Sequence, residues 1–443
     1  MGLAACGGAA EEPAASNTLD AGRAVALGPV KPVPPPPPPA PDATLTLVSA
    51  SASGLAGTGA ACAVSADGGK VLFSSNTATL VSGDTNSRAD LFLKDLNGNG
   101  ITRVVTTTSN DPIVCLGMTP DAKAIAFSTI VTTGGPFEPG TREPAIFVKN
   151  LVSGQQTRVT PLLANLPGVG DFQFAGLSDD GLRVAFVVQP TSSCSGYDCT
   201  ANGPVRTFLF DLASGQLSNL DNRVRFTTSQ GVADGDAWLS PNGRSLAFSS
   251  SANYPEAGDT TSKSDVYALD IASGQVRLLN TDASGRQITI LGTVRPTYGV
   301  QAFLAGGTQI AFRIPNDTDA GTAGVYVKDL NSGALTRVLG PNVTYAIGNR
   351  LALSFSDDGR KVAYVESIGN TLTGGSFARV QNLLTGAVMN AAVLANGTAG
   401  DGRTTTVALL SGDGRAAVFS NNATNLVAGA STAELRVYRK LLP

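Results

Sequence analysis

Short apolar runs recur along the chain, and each one follows a polar turn and ends at an aromatic residue. The first run is Val71-Leu72-Phe73, which follows Ser65-Ala66-Asp67-Gly68. The other copies end at these aromatic residues: Phe127, Phe186, Phe248, Phe312, Tyr364 and Phe419. These seven anchors stand 52 to 64 residues apart, so the sequence predicts one structural unit repeated seven times.

Each copy of the unit predicts two β-hairpins. The Asp-Gly or Asn-Gly pair in the opening turn provides positive φ angles for a two-residue turn, and the apolar run after it predicts a strand buried on both faces. A second hairpin turns at Ser-Gly or Thr-Gly, as at Ser214-Gly215. The fourth strand often begins Thr-Arg-Val, as at Thr102-Arg103-Val104, and we expect its Arg to face solvent. Four strands repeated radially predict an all-β, seven-bladed β-propeller of four-stranded antiparallel blades.

The two ends of the domain predict how the ring closes. The last copy ends after its third strand, Leu435 to Tyr438, close to the C-terminal Pro443. The domain opens with an extra strand, Thr44 to Ser49, which is similar to the fourth strands elsewhere. We therefore expect an N-terminal strand to complete the seventh blade and to remove an exposed sheet edge.

The repeated turn resembles the TolB-like (WD-like repeat) β-propeller family, whose blades carry Ser-Pro-Asp-Gly before an apolar strand. Ser240-Pro241-Asn242-Gly243 is the copy most similar to that pattern. The resemblance extends over residues 43–443 and implies the propeller fold. It implies little about function, because a propeller fold carries many unrelated activities.

Composition excludes several kinds of site. The chain has 443 residues and contains no His, so a Ser-His-Asp or Cys-His arrangement and an imidazole zinc site are excluded. The formal net charge is −3, and no basic stripe suggests a nucleic-acid partner. No Gly-x-Ser-x-Gly motif is present, and no apolar stretch is long enough to span a membrane.

The first residues resemble the end of a bacterial lipoprotein signal. Leu3-Ala4-Ala5-Cys6 matches the lipobox, which implies lipidation of Cys6 and makes residues 1–5 a remnant of the signal peptide. Residues 6–42 then form a Pro-rich tether that includes the run Pro34 to Pro39. Gly7 after the cysteine implies sorting to the outer membrane, so we expect a lipid-anchored envelope protein that faces the periplasm or the cell surface.

Cysteines and one acidic loop are the other candidate sites. In an oxidising envelope compartment, Cys194 and Cys199 predict a disulfide within a loop of the third blade. Cys62 and Cys115 are interpreted as buried apolar residues, with pairing left open. Asp95, Asn97 and Asn99 match the opening of a calcium loop, but position twelve is Thr106 instead of Glu, so they remain a weak candidate. No cofactor and no other metal is expected.

Repeated carboxylates at strand ends favour turn stabilisation over an active site. The residues concerned are Asp95, Asp211, Asp270 and Asp329, and we expect Asp90 and Asp265 to act similarly. Trp238 is interpreted as a core residue. These observations favour a monomeric binding scaffold without catalysis, whose partner is an envelope protein or a small ligand at the propeller face. The alternative is a carboxylate- or metal-dependent hydrolase or lyase acting on peptide or polysaccharide. The candidate loops are 74–89, 128–144, 187–206 and 249–264.

Overall fold

A computed structural model describes residues 43–443 with gaps. The residues outside the description are 1–42, 87, 107–110, 134–140, 163–168, 191, 196–197, 202–204, 224–236, 262, 289–299, 315–322, 341–352, 369–374 and 428–431. Residues 40–443 form one compact unit. No helix in the described part of the chain is long and apolar enough to cross a membrane.

The described strands form seven four-stranded antiparallel sheets, as the sequence predicted. Blade one contains β2 (Ala60–Val64), β3 (Lys70–Ser75), β4 (Asp90–Asp95) and β5 (Ile101–Val105). Blade two contains β6 (Val114–Met118), β7 (Ala124–Thr133), β8 (Thr141–Asn150) and β9 (Gln156–Arg158). Blade three contains β10 (Val169–Leu177), β11 (Arg183–Pro190), β14 (Arg206–Asp211) and β15 (Gln216–Asn219), with a separate hairpin of β12 (Ser192–Ser195) and β13 (Asp198–Ala201).

The later blades follow the same order of pairing. Blade four contains β16 (Ala237–Leu239), β17 (Ser245–Ser250), β18 (Asp265–Asp270) and β19 (Val276–Leu278). Blade five contains β20 (Val300–Leu304), β21 (Gln309–Ile314), β22 (Gly324–Asp329) and β23 (Leu335–Leu339). Blade six contains β24 (Ser354–Phe355), β25 (Lys361–Ile368), β26 (Gly375–Asn382) and β27 (Val388–Asn390). Short 3-10 helices lie at Leu220–Arg223, Pro255–Ala257 and Ala305–Gly307.

Blade seven is built from both ends of the domain. It contains β28 (Thr404–Leu410), β29 (Ala416–Asn421), β30 (Arg436–Leu441) and the N-terminal strand β1 (Leu45–Leu47). β1 pairs antiparallel with β30, and Leu45 lies opposite Lys440. The first strand of each blade contacts the first strand of the next blade, and β28 contacts β2, so the ring is closed.

Aromatic pairs within the blades and apolar clusters between them form the core. In six blades the aromatic anchor stacks on an aromatic residue of the third strand, as Phe73 does on Phe92 with ring centroids 5.7 Å apart. In blade six, Tyr364 lies opposite Arg379. The clusters join neighbouring blades: one contains Phe73 of blade one together with Val418 of blade seven. Apolar runs are therefore buried on both faces, as expected for stacked sheets.

The opening turns differ from the predicted two-residue hairpin. The loop of blade one spans Ser65 to Gly69, and the Ser65 amide donates to the carbonyl of Lys70 at 2.9 Å. The Ser65 hydroxyl donates to Asp67 at 2.5 Å and accepts from the Lys70 amide at 2.9 Å. Of the pair, only Gly68 takes a positive φ, of 68°. The Ser and Asp side chains bind the ends of a longer loop, and the prediction of a two-residue turn was wrong.

Candidate functional site

The two ends of the ring differ in shape. We call one end of the ring the turn face. It carries the turns between first and second strands and those between third and fourth strands. We call the opposite end the loop face. It carries the loops between second and third strands and the connections between blades. On the turn face, neighbouring opening turns are joined by backbone hydrogen bonds, from the Ala66 amide to Pro120 at 2.9 Å and from the Asp413 amide to Ala66 at 2.8 Å. Hydrogen bonds therefore connect neighbouring opening turns on the turn face.

The loop face carries raised hairpins on blades two and six. In blade one the paired strands end at Ser75 and Asp90, whereas in blade two the equivalent pair, Thr129 and Ala145, is followed by four more pairs up to Thr133. In blade six, pairing continues two residues further, to Ile368 opposite Gly375. Four added pairs raise the blade-two ribbon by about 13 Å, at about 3.4 Å per residue. Parts of candidate loops 128–144 and 187–206 are therefore strands.

Ion pairs lie on the raised ribbon of blade two and below the raised part of the blade-six hairpin. Arg142 of blade two pairs with Asp111, and its side chain is mostly exposed. In blade six, Arg379 pairs with Glu366 at 2.8 Å and lies over the half-buried ring of Phe377, 5.1 Å from its centroid. These groups give the loop face charged and aromatic contact surfaces held on strands.

The loop between the second and third strands of blade one holds two buried carboxylates. Asp84 and Asp90 both lie near one guanidinium nitrogen of Arg103, at 3.2 Å and 3.3 Å. The Asn86 amide nitrogen is 3.4 Å from both oxygens of Asp90. One oxygen of Asp84, Oδ2, has no hydrogen-bond partner among the described residues. The prediction that Asp90 stabilises a turn was incomplete, because it also neutralises a buried cation.

Blade four repeats this pair without the arginine. Asp259 and Asp265 are both buried, and one nitrogen of Gln287 donates to each carboxylate at 3.0 Å. Asn280 donates to Asp265 at 2.6 Å, and the Tyr267 hydroxyl donates to Asp259 at 2.7 Å. Burial raises the pKa of Asp265. The hydrogen bonds from Asn280 and Gln287 oppose this increase, and the charge of Asp259 adds to it. The role of Asp265 therefore goes beyond the turn stabilisation predicted from the sequence.

The Arg residues of the Thr-Arg-Val segments do not all face solvent. Arg103 and Arg158 lie at equivalent positions of their fourth strands, and their side chains are about three-quarters buried. Arg158 pairs with the buried Glu143 at 2.6 Å. Arg337 is exposed. The prediction was wrong for the first two, because acidic residues from the loop side of the same blade reach back to the fourth strand.

The described part of the inner strands carries few charged side chains. The seven inner strands contain one charged residue, Asp171. At the turn-face mouth, burial and the negative charge of Asp357 raise the pKa of Asp179. Trp238 is half-buried and packs on the cluster between blades four and five, in agreement with its interpretation as a core residue. Asp171 is therefore the one carboxylate on the described inner strands.

The strand-ending carboxylates bind their own turns. Asp329 accepts from the amides of Asn331 at 3.0 Å and Ser332 at 2.7 Å, and these bonds lower its pKa to about 2, the Ser332 amide being the largest cause. Asp211 and Asp270 accept from Ser214 and Ser273 in the same way. Turn stabilisation is thus confirmed for this set.

The weak calcium candidate has the same arrangement. Asp95 accepts from the amides of Asn97 at 2.9 Å and Gly98 at 3.0 Å, and Asn99 takes a positive φ of 54°. Asp95 is thereby oriented toward its own turn. The described residues contain no group of three or more Cys, Asp or Glu placed to hold a metal ion.

The cysteines give one observed disulfide and one prediction. Cys62 and Cys115 form a disulfide between the inner strands β2 and β6, with Cα atoms 6.1 Å apart. Their interpretation as buried apolar residues was therefore wrong, since closely equivalent positions of adjacent inner strands lie side by side. The backbones of Cys194 and Cys199 lie directly opposite each other in the β12–β13 hairpin, and their disulfide remains a prediction. Cys6 lies outside the described residues.

These features define a closed, seven-bladed β-propeller with a raised loop face. No family model and no curated protein matches the sequence. Among solved structures, the chain is similar to oligogalacturonate lyase from Vibrio parahaemolyticus, with a TM-score of 0.54, 11% identity and coverage of 91% of this chain and 96% of that one. It is also similar to an oligogalacturonate lyase in complex with manganese, with a TM-score of 0.50, 12% identity and 90% coverage of each chain. TolB from Acinetobacter baumannii is a further neighbour, with a TM-score of 0.39, 15% identity and coverage of 80% and 76%.

These neighbours correct the prediction that the chain is not an enzyme. Two propellers that the chain covers almost end to end are lyases. A propeller of this extent can therefore be an enzyme without a second catalytic domain, and the absence of a Ser-His-Asp arrangement does not exclude catalysis. At 11% and 12% identity the likeness establishes the fold alone.

Proposed function

We propose that this chain is a lipid-anchored β-propeller of the cell envelope that binds a protein or a small ligand on its loop face. The raised hairpins carry this proposal, because β7 and β8 extend a rigid ribbon beyond the plane where the paired strands of blade one end. Binding residues are commonly held on loops and hairpins above a rigid scaffold.

The path of the chain at its N-terminal end supports this choice of face. β30 begins at the loop face and ends at the turn face, and β1 runs antiparallel to it. The chain therefore enters the propeller at the turn face. The Pro-rich tether predicted for residues 6–42 would separate Cys6 from this point of entry. A lipid on Cys6 would then leave the loop face free to point away from the membrane.

A fractionation experiment tests the anchor. Cells producing the full chain or its Cys6→Ser variant are labelled with radioactive palmitate and separated into membrane and soluble fractions. We expect label and membrane association only with Cys6 present. Unlabelled protein in the soluble fraction for both forms would contradict the anchor but would leave the loop-face site untouched.

A second candidate function is cleavage of a polysaccharide by a lyase or hydrolase reaction. The observation that favours it is the near-complete coverage of two oligogalacturonate lyases by this chain. The full chain is incubated with oligogalacturonate, with and without Mn²⁺, and the ultraviolet absorbance of the unsaturated product is followed. A steady increase supports a lyase. A flat trace under both conditions contradicts activity on this substrate, and a second assay for new reducing ends then tests hydrolysis.

A further inference from the structure

Blades one and four carry the same short sequence and the same buried carboxylate pair, but with different neutralising groups. Gly83-Asp84-Thr85 and Asp90 correspond in spacing to Gly258-Asp259-Thr260 and Asp265. In blade one, the guanidinium of Arg103 lies between the two carboxylates. In blade four, the neutral side-chain amide of Gln287 takes that place.

The donors around the blade-four pair come from three segments. In the loop of residues 251–264, the amides of Tyr254 and Thr261 donate to Asp259 at 3.2 Å and 2.9 Å. From β18, the Tyr267 hydroxyl donates to the same carboxylate. The segment after β19 supplies Asn280 and Gln287. The pair therefore joins residues 251–261 to residues 280–288.

The charged groups near the pair do not replace the arginine. Lys263, on the same loop, is exposed. Arg286, on the segment after β19, is also exposed and pairs with Asp282 at 3.2 Å. The other titratable neighbours are Tyr254 and Tyr267, whose hydroxyls are neutral near pH 7. Two buried carboxylates at one nitrogen, without a cation among their described hydrogen-bond partners, repel each other if both are ionised.

We propose that Asp265 carries a proton in the closed arrangement and acts as a pH-sensitive latch that holds residues 251–261 on the loop face. The Thr261 hydroxyl lies 3.0 Å from Oδ2 of Asp265 and donates to this oxygen when the carboxylate is ionised. When Oδ2 carries the proton, the hydroxyl rotates and accepts it. Asp259 accepts from Tyr254, Thr261, Tyr267 and Gln287. When the proton leaves to solvent, repulsion between the carboxylates separates residues 251–261 from residues 280–288.

The direction of the pH effect follows from burial. Because burial raises the pKa of Asp265 in the folded protein, its proton is held more tightly there than in the unfolded chain. The stabilisation is fully present below the ordinary carboxyl pKa of about 3.9 and is lost as the pH rises through the raised pKa. The latch is therefore closed in acid and loosens toward alkaline pH, independently of which ligand the loop face binds.

Hydrogen exchange of the full chain tests the latch. The protection of the Tyr254 and Thr261 amides, corrected for intrinsic exchange, is measured from about pH 4 to about pH 8. We expect protection to fall through one transition, by up to about tenfold per pH unit, the limit for one proton. In Asp265→Asn the side chain is neutral at every pH, so the transition should disappear. Asp90→Asn, the matched change beside Arg103, should leave the blade-four transition in place.

An infrared measurement keeps the test independent of how the variants fold. Wild-type protein should show the carbonyl band of a protonated carboxyl group at a pH where exposed carboxyls are ionised, and the band should titrate together with the loss of amide protection. Equal protection at all pH values in the wild type would overturn the proposal. A transition that survives unchanged in folded Asp265→Asn would overturn it as well.

Discussion

At the scale of the residue, buried lysines connect one blade to the next. Lys94, Lys149, Lys328 and Lys440 occupy the same position of the third strand, and each donates to a backbone carbonyl at the end of the preceding blade. Lys328 donates to the Thr281 carbonyl at 2.9 Å and also to Gly333 at 2.7 Å. Burial lowers the pKa of both Lys94 and Lys328. The hydrogen bonds to carbonyl oxygens replace the hydrogen bonds to water that each ammonium group loses on burial.

Replacement of one such lysine should be costly even when its apolar volume is kept. Lys328→Met leaves two carbonyls without their donor, so we expect the free energy of unfolding to fall by about 2 to 3 kcal/mol. Urea denaturation measures this change. Lys123→Met is the matched control, because Lys123 is exposed and pairs only with Asp121, and it should change the free energy by less than about 0.5 kcal/mol. Equal effects of the two changes would refute the role of Lys328.

At the scale of the element, each blade relies on contacts that are distant in sequence. The Cys62–Cys115 disulfide joins two inner strands across 53 residues. Cys62 is also the extra residue of a bulge between Ala61 and Ala63. β1, of three residues, completes blade seven and places Leu45 in its core. The disulfide and the pairing of β1 with β30 each hold together two strands that no hairpin turn connects.

Loss of the inner-strand disulfide should destabilise the ring without unfolding it. A double Cys62→Ala, Cys115→Ala variant should lose about 2 to 4 kcal/mol of unfolding free energy, because the unfolded chain gains a large open loop. Urea denaturation is run with and without dithiothreitol. Reduction should lower the stability of the wild type by a similar amount. If the double variant is as stable as the oxidised wild type, the disulfide does not contribute.

The same double variant isolates the predicted Cys194–Cys199 disulfide. Any remaining effect of dithiothreitol on it would come from this second pair, because Cys62 and Cys115 are absent. Peptide mapping of the non-reduced protein by mass spectrometry should find residues 194 and 199 in one linked fragment. Free thiols at both positions would contradict the prediction.

Closure by β1 predicts a position-dependent effect within one short strand. Leu45→Asp places a carboxylate in the core of blade seven, so the unfolding free energy should fall by at least about 2 kcal/mol, and exposure of the β30 edge should favour association. Thr46→Asp, at the next position, is only half-buried and should be tolerated. Urea denaturation and light scattering check both. Equal tolerance of the two changes would contradict closure by this strand.

At the scale of the whole molecule, the fold could be predicted from the sequence and the candidate site only in part. The periodic anchors, such as Phe73 and Phe127, report burial between blades, and burial has a regular pattern in sequence. The raised ribbon of blade two was not predicted, because Gly134-Gly135-Pro136 and Pro139-Gly140 are typical of an irregular loop as well as of the turn of a long hairpin. The Asp259–Gln287 contact joins residues 28 apart, and no local pattern indicates such a pairing.

The orientation of the ring determines which face is available for the proposed function. The chain enters at the turn face, where opening turns are tied together by bonds such as that from Asp357 to Gly412, at 2.7 Å. The raised hairpins and the carboxylate pairs lie at the opposite end. A tethered ring of this kind would present its loop face to the surrounding compartment, so a ligand of the full-length protein should contact that face.

Site-specific photocrosslinking in living cells tests this claim most directly. A photoreactive amino acid replaces the exposed Thr132 on the raised ribbon in one strain, and the exposed Val152 on the turn face in another. We predict that illumination forms a discrete adduct of higher mass from position 132 and none from position 152. Adducts from position 152 alone, or from neither position in cells where the protein is abundant, would contradict a ligand site on the loop face.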